Sequence, residues 1–243
     1  MKLQHLIACN CLAGLCSLMA CTKNEIQAPV SSCTTCAYVK LVNGEPNSTA
    51  TYQFLLNGQK ITGSALAYAG IFPGTVEYAA VNAGQVAVAV SLGTDTTFAP
   101  VAQANLNLEA GKRYGILWTG DVSKDPFVLV ENRTQPADSG YVMVQCVNLI
   151  QANQTVDILS LPDSTVVFAA IPYKGVKDYI KLPYAGTYLV RETGTHINLA
   201  KATLSLTQTR NYTWYVRGKQ YDTLATSKTK ITLDYYTNGY PQP

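Results

Sequence analysis

Histidine, the side chain best suited to moving protons near neutral pH, is almost missing: the chain holds two, His5 and His196. His5 stands in an apolar leader. That leaves His196, in "GTHIN", without a second imidazole for Ser-His-Asp or Cys-His chemistry. No Gly-x-Ser-x-Gly stretch offers a nucleophile elbow. Cys33-x-x-Cys36 is half of a zinc pattern, and only Cys146 and His196, both distant, remain to complete it. A redox role for the pair would need a helix start in a βαβ setting, whereas a strand-like run follows here. The expectation is a structural disulfide drawn from Cys33, Cys36 and Cys146, with one thiol left over and the pairing open. Asp121 and Asp125 in "GDVSKDP" lack the spacing of a calcium loop and read as a solvated turn ahead of Pro126. No catalytic residue, metal or cofactor is expected. The rings that could stack on a sugar or a partner are Trp118, Trp214, Tyr235 and Tyr236. Filling or covering the core is the competing use of the same rings, and the favoured one for the tryptophans.

The N-terminus reads as targeting. Lys2 precedes a mostly apolar run from Leu6 to Ala20, shorter than the roughly 20 residues that cross a bilayer, so a signal peptide fits better than a span. The run ends in Leu18-Met19-Ala20-Cys21, which resembles the lipobox of bacterial lipoproteins. The resemblance implies cleavage between Ala20 and Cys21 and lipidation of the Cys21 thiol, then of its new amine. Several acyl chains, each burying CH₂ groups at about 0.8 kcal/mol apiece, hold a protein to the bilayer essentially permanently. Thr22 in place of aspartate points, by the common sorting rule, to the outer membrane, facing either the surface or the periplasm. Residues 21–36 then read as the lipidated end and a polar tether.

The elements that must position any site are strands. Apolar residues make up 47% of the 243, charged residues only 14% against about 25% in an average protein, and tyrosine reaches 16. The formal charge of +3, without any block of like charges, argues against nucleic acid as a partner. Short alternating runs stand between turn signals: "TYQFLL" before Asn57-Gly58, a strong hairpin signal, "QVAVAVSL" before Gly93, and "ANLNL" before Ala110-Gly111. Blocks recur in the same order about 100 residues on. "AYVKLV" is answered by "GYVMVQ", "VNAGQVAVAV" by "PYAGTYLVRE", "LNLEAGKRYGILWTG" by "LSLTQTRNYTWYVRG", and "VLVEN" by "ITLDY". The pattern predicts a signal peptide over 1–20, a tether over 21–36, and two tandem antiparallel immunoglobulin-like sandwiches over 37–136 and 137–243.

The order of "LLNGQ", "AYAGIFPG", "VNAG", "VAV", "GTD", "LNLEAGKRYGILWTG" and "VLVEN" resembles an uncharacterised sandwich-domain family, a domain of unknown function that is common, often as two copies, in surface lipoproteins of Bacteroidota. The resemblance covers 37–132 well and 140–235 more loosely. It departs at "NGEPNS" and "CVNLIQ", where the family often carries a His-Ala-Ser-Pro-like segment. It implies fold and compartment and supplies no catalytic residue. Asp95-Thr96-Thr97, Asp163-Ser164-Thr165 and Asp222-Thr223-Leu224 resemble the O-glycosylation acceptor of that phylum, which makes Thr96, Ser164 and Thr223 candidate acceptors. The resulting expectation is a membrane-anchored envelope lipoprotein, not an enzyme, that binds a glycan, an envelope polymer or a protein. An accessory subunit of a pilus-like or transport assembly is the alternative, and a hydrolase ranks third.

Overall fold

The structure, a computed structural model, describes residues 33–46, 49–74, 76–123, 125–151 and 154–239. The expectations placed on Ala20 and Cys21 lie outside the described residues. All secondary structure among them is β. The first half holds β1 (Cys36–Asn43), β2 (Tyr52–Leu56), β3 (Gln59–Lys60), β4 (Ile71–Phe72), β5 (Ala79–Asn82), β6 (Gly84–Leu92), β7 (Pro100–Leu108), β8 (Arg113–Trp118) and β9 (Phe127–Glu131). The second holds β10 (Tyr141–Asn148), β11 (Val156–Leu161), β12 (Thr165–Ile171), β13 (Val176–Pro183), β14 (Ala185–Glu192), β15 (Asn198–Ser205), β16 (Asn211–Arg217) and β17 (Thr232–Thr237).

Both halves use one plan. In the first, β4 and β5 pair with β1, which continues to β8 and β9, while a second sheet runs β3-β2-β6-β7. In the second, the sheets run β13-β10-β16-β17 and β12-β11-β14-β15. The all-β sandwich reading holds. Within it, one neighbour pair in each half is parallel, β1 with β8 and β10 with β16, so two of the sheets are mixed.

The β3-β2-β6-β7 sheet shows why its strands form. Val86, Val88 and Val90 alternate into the core while Gln85 and Ala87 face out. The Asn57-Gly58 turn has both residues at positive φ, 50° and 74°, and folds β2 onto β3 as its sequence predicts. The β1-β8-β9 and β10-β16-β17 sheets behave differently. Their central strands, β1, β8, β10 and β16, are buried on both faces, as in the unbroken run of β16 from Asn211 to Val216. Leu41, Ile116 and Trp118 face the first sandwich core, whereas Val42, Leu117, Val128 and Val130 point the other way. There they meet Val147, Leu149, Tyr215 and Tyr236 of the second half in a third apolar cluster. The β1 and β10 sheets are therefore inner sheets packed face to face, and the β6 and β14 sheets are the outer layers. The described residues all fall within one compact unit.

Candidate functional site

Of the four candidate stacking rings, three are buried, and for Trp118 and Trp214 core filling is the use favoured from sequence. Trp118 and Trp214 are 1% and 0% exposed. Each is packed edge-on against a core tyrosine, Tyr52 and Tyr188 respectively, with ring centroids 4.6 Å apart. Tyr236 is buried between the inner sheets, and burial pushes its hydroxyl up to about 12. These three are structural rings, a correction to their candidacy for stacking, because each points into an apolar cluster rather than to solvent. Tyr235, edge-on to Tyr212 at 5.6 Å, keeps 39% of its surface.

The other expected residues are also located. Cys33 and Cys36 form a disulfide at the mouth of β1, and Cys146 remains a free thiol. Cys146 lies in the second core, where burial raises its pKa and withholds the reactive thiolate. His196 sits exposed in the turn between β14 and β15. Asp121 pairs with Lys174 at 2.6 Å, which tethers a loop of the first half to the second. No group of three or more metal-ligating side chains occurs among the described residues. Thr96, Ser164 and Thr223 share one geometry. Each is exposed, and each follows an aspartate whose carboxylate accepts the amide two residues on: Asp95 from Thr97 at 2.8 Å, Asp163 from Thr165 at 3.4 Å, Asp222 from Leu224 at 3.3 Å. Hydrogen bonds to neighbouring hydroxyls, from Thr97, Thr165 and Ser227, hold all three carboxyls below their usual range.

A cleft that the sequence does not announce opens where the halves meet. It measures about 540 Å³ and is lined by Pro46, Ala50 and Tyr68 on one side and by Arg217, Lys228 and Thr229 on the other. Tyr68 is presented by a turn that a buried asparagine builds. Asn43, the last residue of β1, donates its side-chain amide to Leu66 O at 3.0 Å, and its own carbonyl accepts the Ala69 amide at 2.8 Å. Arg217, the last residue of β16, is aimed by its ion pair with Asp234 on β17, and its guanidinium lies 4.6 Å from the Tyr68 ring centroid. Burial pushes the Tyr68 hydroxyl above its usual range, against the pull of Arg217. The far wall is a loop organised by Asp222, whose carboxylate accepts the Thr229 hydroxyl at 2.8 Å. Lys228 on that loop is exposed, and no acid pairs with it among the described residues. The cleft thus sets an aromatic face and apolar floor against two cations and two threonine hydroxyls, those of Thr49 and Thr229. That set can hold a ligand. Tyr68 and Arg217 are far apart in the chain, so only folding reveals the pair.

A family model described as a domain of unknown function, DUF4397, matches residues 37–159, from the start of the first half through β10 and into β11. No curated protein matches the chain. Solved structures with some likeness include a family 41 carbohydrate-binding module from streptococcal virulence factors, at 11% identity over 77% of this chain and 95% of that one, with a TM-score of 0.25. Another is a family 26 module from Eubacterium rectale Amy13K in complex with maltoheptaose, at 9% identity over 82% and 96%, with a TM-score of 0.26. The Bacillus anthracis TIE protein follows at 12% identity over 73% and 33%, with a TM-score of 0.24. At such TM-scores these likenesses carry no argument about this chain.

Proposed function

The chain belongs to the DUF4397 family of domains of unknown function, and from that premise we propose that it is a lipid-anchored, non-catalytic binding protein of the bacterial outer membrane. In this reading Cys21 carries the anchor, residues 22–36 form the tether, and two tandem sandwich domains, 37–136 and 137–243, present a cleft that holds a glycan. The cleft at the junction is the observation that carries it. An aromatic face receives the apolar face of a sugar ring, while cations and hydroxyls at fixed positions bind its oxygens. The shared sandwich plan of the two halves supports the duplication. The exposed turns at Thr96, Ser164 and Thr223 support glycosylation there, since a transferase needs a reachable hydroxyl.

Two measurements test this. Retention on a panel of neutral and acidic oligosaccharides, followed by calorimetric titration, is expected to find a ligand whose affinity drops tenfold or more in Tyr68→Ala, about 1.4 kcal/mol. The same ligand should bind Tyr235→Ala unchanged. Equal binding by wild type and Tyr68→Ala would remove the cleft from the proposal. The mass of the protein from its native membrane should show a chain beginning at acylated Cys21, with sugar increments on peptides holding Thr96, Ser164 and Thr223. An unmodified Cys21 would sink the anchor. A second reading, an accessory subunit of an envelope assembly, draws on one open sheet edge, β7.

A further inference from the structure

A sheet edge exposes a row of unpaired amides and carbonyls, and proteins blunt such edges with charges, prolines, bulges or brevity. Nearly every edge among the described residues carries such a device. β3 and β4 have 2 residues each and β5 has 4. β9 carries Glu131, paired with Lys112. The pairing of β12 with β11 breaks register twice. β13 holds Lys177, Asp178 and Lys181, β15 holds Lys201, and β17 holds Asp234. β7 is the least protected, because its devices are confined to its first residues. Its 9 residues, "PVAQANLNL", include no charge, and its one proline is the first residue. It pairs only with β6, in register from Gly84 opposite Leu108 to Val90 opposite Ala102, and its one register break lies beyond, where Ser91 comes opposite Pro100 at the start of the strand.

We propose that β7 is a strand-pairing edge and that its occupant is β7 of a second copy of this chain, so that two outer sheets join across a twofold axis. The sequence of β7 is complementary to itself. With the axis at Asn105, antiparallel pairing sets Asn105 opposite Asn105 and Gln103 opposite Asn107 on the solvent face. Those side chains are exposed, and each amide both donates and accepts. On the core face Ala104 comes opposite Leu106 and Ala102 opposite Leu108, which extends the apolar layer rather than exposing it. A groove of about 530 Å³, floored by Ala87 and Ala89 on β6 and bordered by Phe98, Gln103 and Asn105, lies on the solvent face of the same sheet beside this amide ladder. The matching strand of the second half, β15, instead carries the exposed Lys201, a charge that blunts its edge.

The test is sedimentation equilibrium of the full chain carrying Cys21→Ser, from low to high micromolar concentration. A monomer–dimer equilibrium is expected, weakened at least tenfold by Asn105→Lys, which sets two ammonium groups on the axis. Thr203→Lys on β15 should leave it unchanged. As an independent readout, Asn105→Cys should give a covalent dimer on oxidation. Wild type that stays monomeric throughout, with no disulfide-linked dimer from the Asn105→Cys variant, overturns the proposal. So does a dimer whose dissociation constant Asn105→Lys leaves unmoved.

Discussion

Lys40 is the residue whose surroundings most clearly oppose its own chemistry. Its side chain is wholly buried on β1, its ammonium donates to the carbonyls of Pro73 at 3.0 Å and Glu77 at 2.8 Å, and the Tyr78 ring lies 4.9 Å away. Desolvation lowers its pKa from 10.5 to about 8, with the charge of Glu77 pulling the other way. The folded state therefore gives up this proton at lower pH than the unfolded state does. Between pH 8 and 10.5 the unfolded chain holds more protons, so the contribution of Lys40 to stability rises with pH. Measured against Lys40→Met, which cancels other titrations, wild type should gain up to about 3 kcal/mol across that window. A difference that stays flat in urea unfolding at both ends would refute the burial cost. None of this is legible in "AYVKLV", where Lys40 reads as the polar member of an alternating strand. The same blindness affects Trp118 and Trp214. Both sit on strands buried on both faces, so no alternation in the sequence marks which side chains would meet solvent.

Among the elements, outer and inner strands differ in how much their sequences disclose. β6 alternates, and its hairpin neighbour is marked by Asn57-Gly58, so both are readable as half-buried strands. The inner strands read only as apolar runs, and nothing local to β1 and β8 specifies that they pair in parallel. Equivalent buried asparagines do close β1 and β10: Asn43 accepts the Glu45 amide at 3.1 Å, and Asn148 accepts the Ile150 amide at 2.9 Å. The contact between β8 and β17 is specified by a glycine. A Cβ on Gly115 would overlap the Tyr236 hydroxyl, so the absent side chain is what admits that ring between the sheets. Gly115→Ala should destabilise the protein by about 1–3 kcal/mol through overpacking. Tyr236→Phe alone should cost about 1 kcal/mol, since it removes the hydroxyl's bond to Asn132. Together the two changes should cost clearly less than their sum, because removing the hydroxyl makes the room the methyl needs. Strict additivity in a double-mutant cycle would show that the inner sheets do not meet there.

At the scale of the whole described body, the question is whether the halves behave as one. A join holding Pro136 and Gly140 is compatible in sequence with either a hinge or a rigid seam. The packing decides for the seam. Beside the apolar cluster, Asn132 accepts the Gln145 amide at 2.9 Å and donates to the Tyr78 hydroxyl at 2.9 Å. Thr119 and Tyr173 meet at 2.7 Å at another point of the junction. Separating the halves would expose Leu117, Val130, Leu149 and Tyr215 and strip these polar groups of their partners, so neither half should survive the unfolding of the other. Each half contains one tryptophan of the chain's two, which makes the coupling measurable. In Trp118→Phe, fluorescence reports only Trp214 in the second core. Adding Phe54→Ala, in the first core, should cost about 3–5 kcal/mol. If the body is one cooperative unit, that loss lowers the denaturant midpoint read at Trp214 as much as the midpoint read by far-ultraviolet circular dichroism. A Trp214 midpoint left in place by Phe54→Ala would mean that the second sandwich stands alone, and that the cleft between Tyr68 and Arg217 can open.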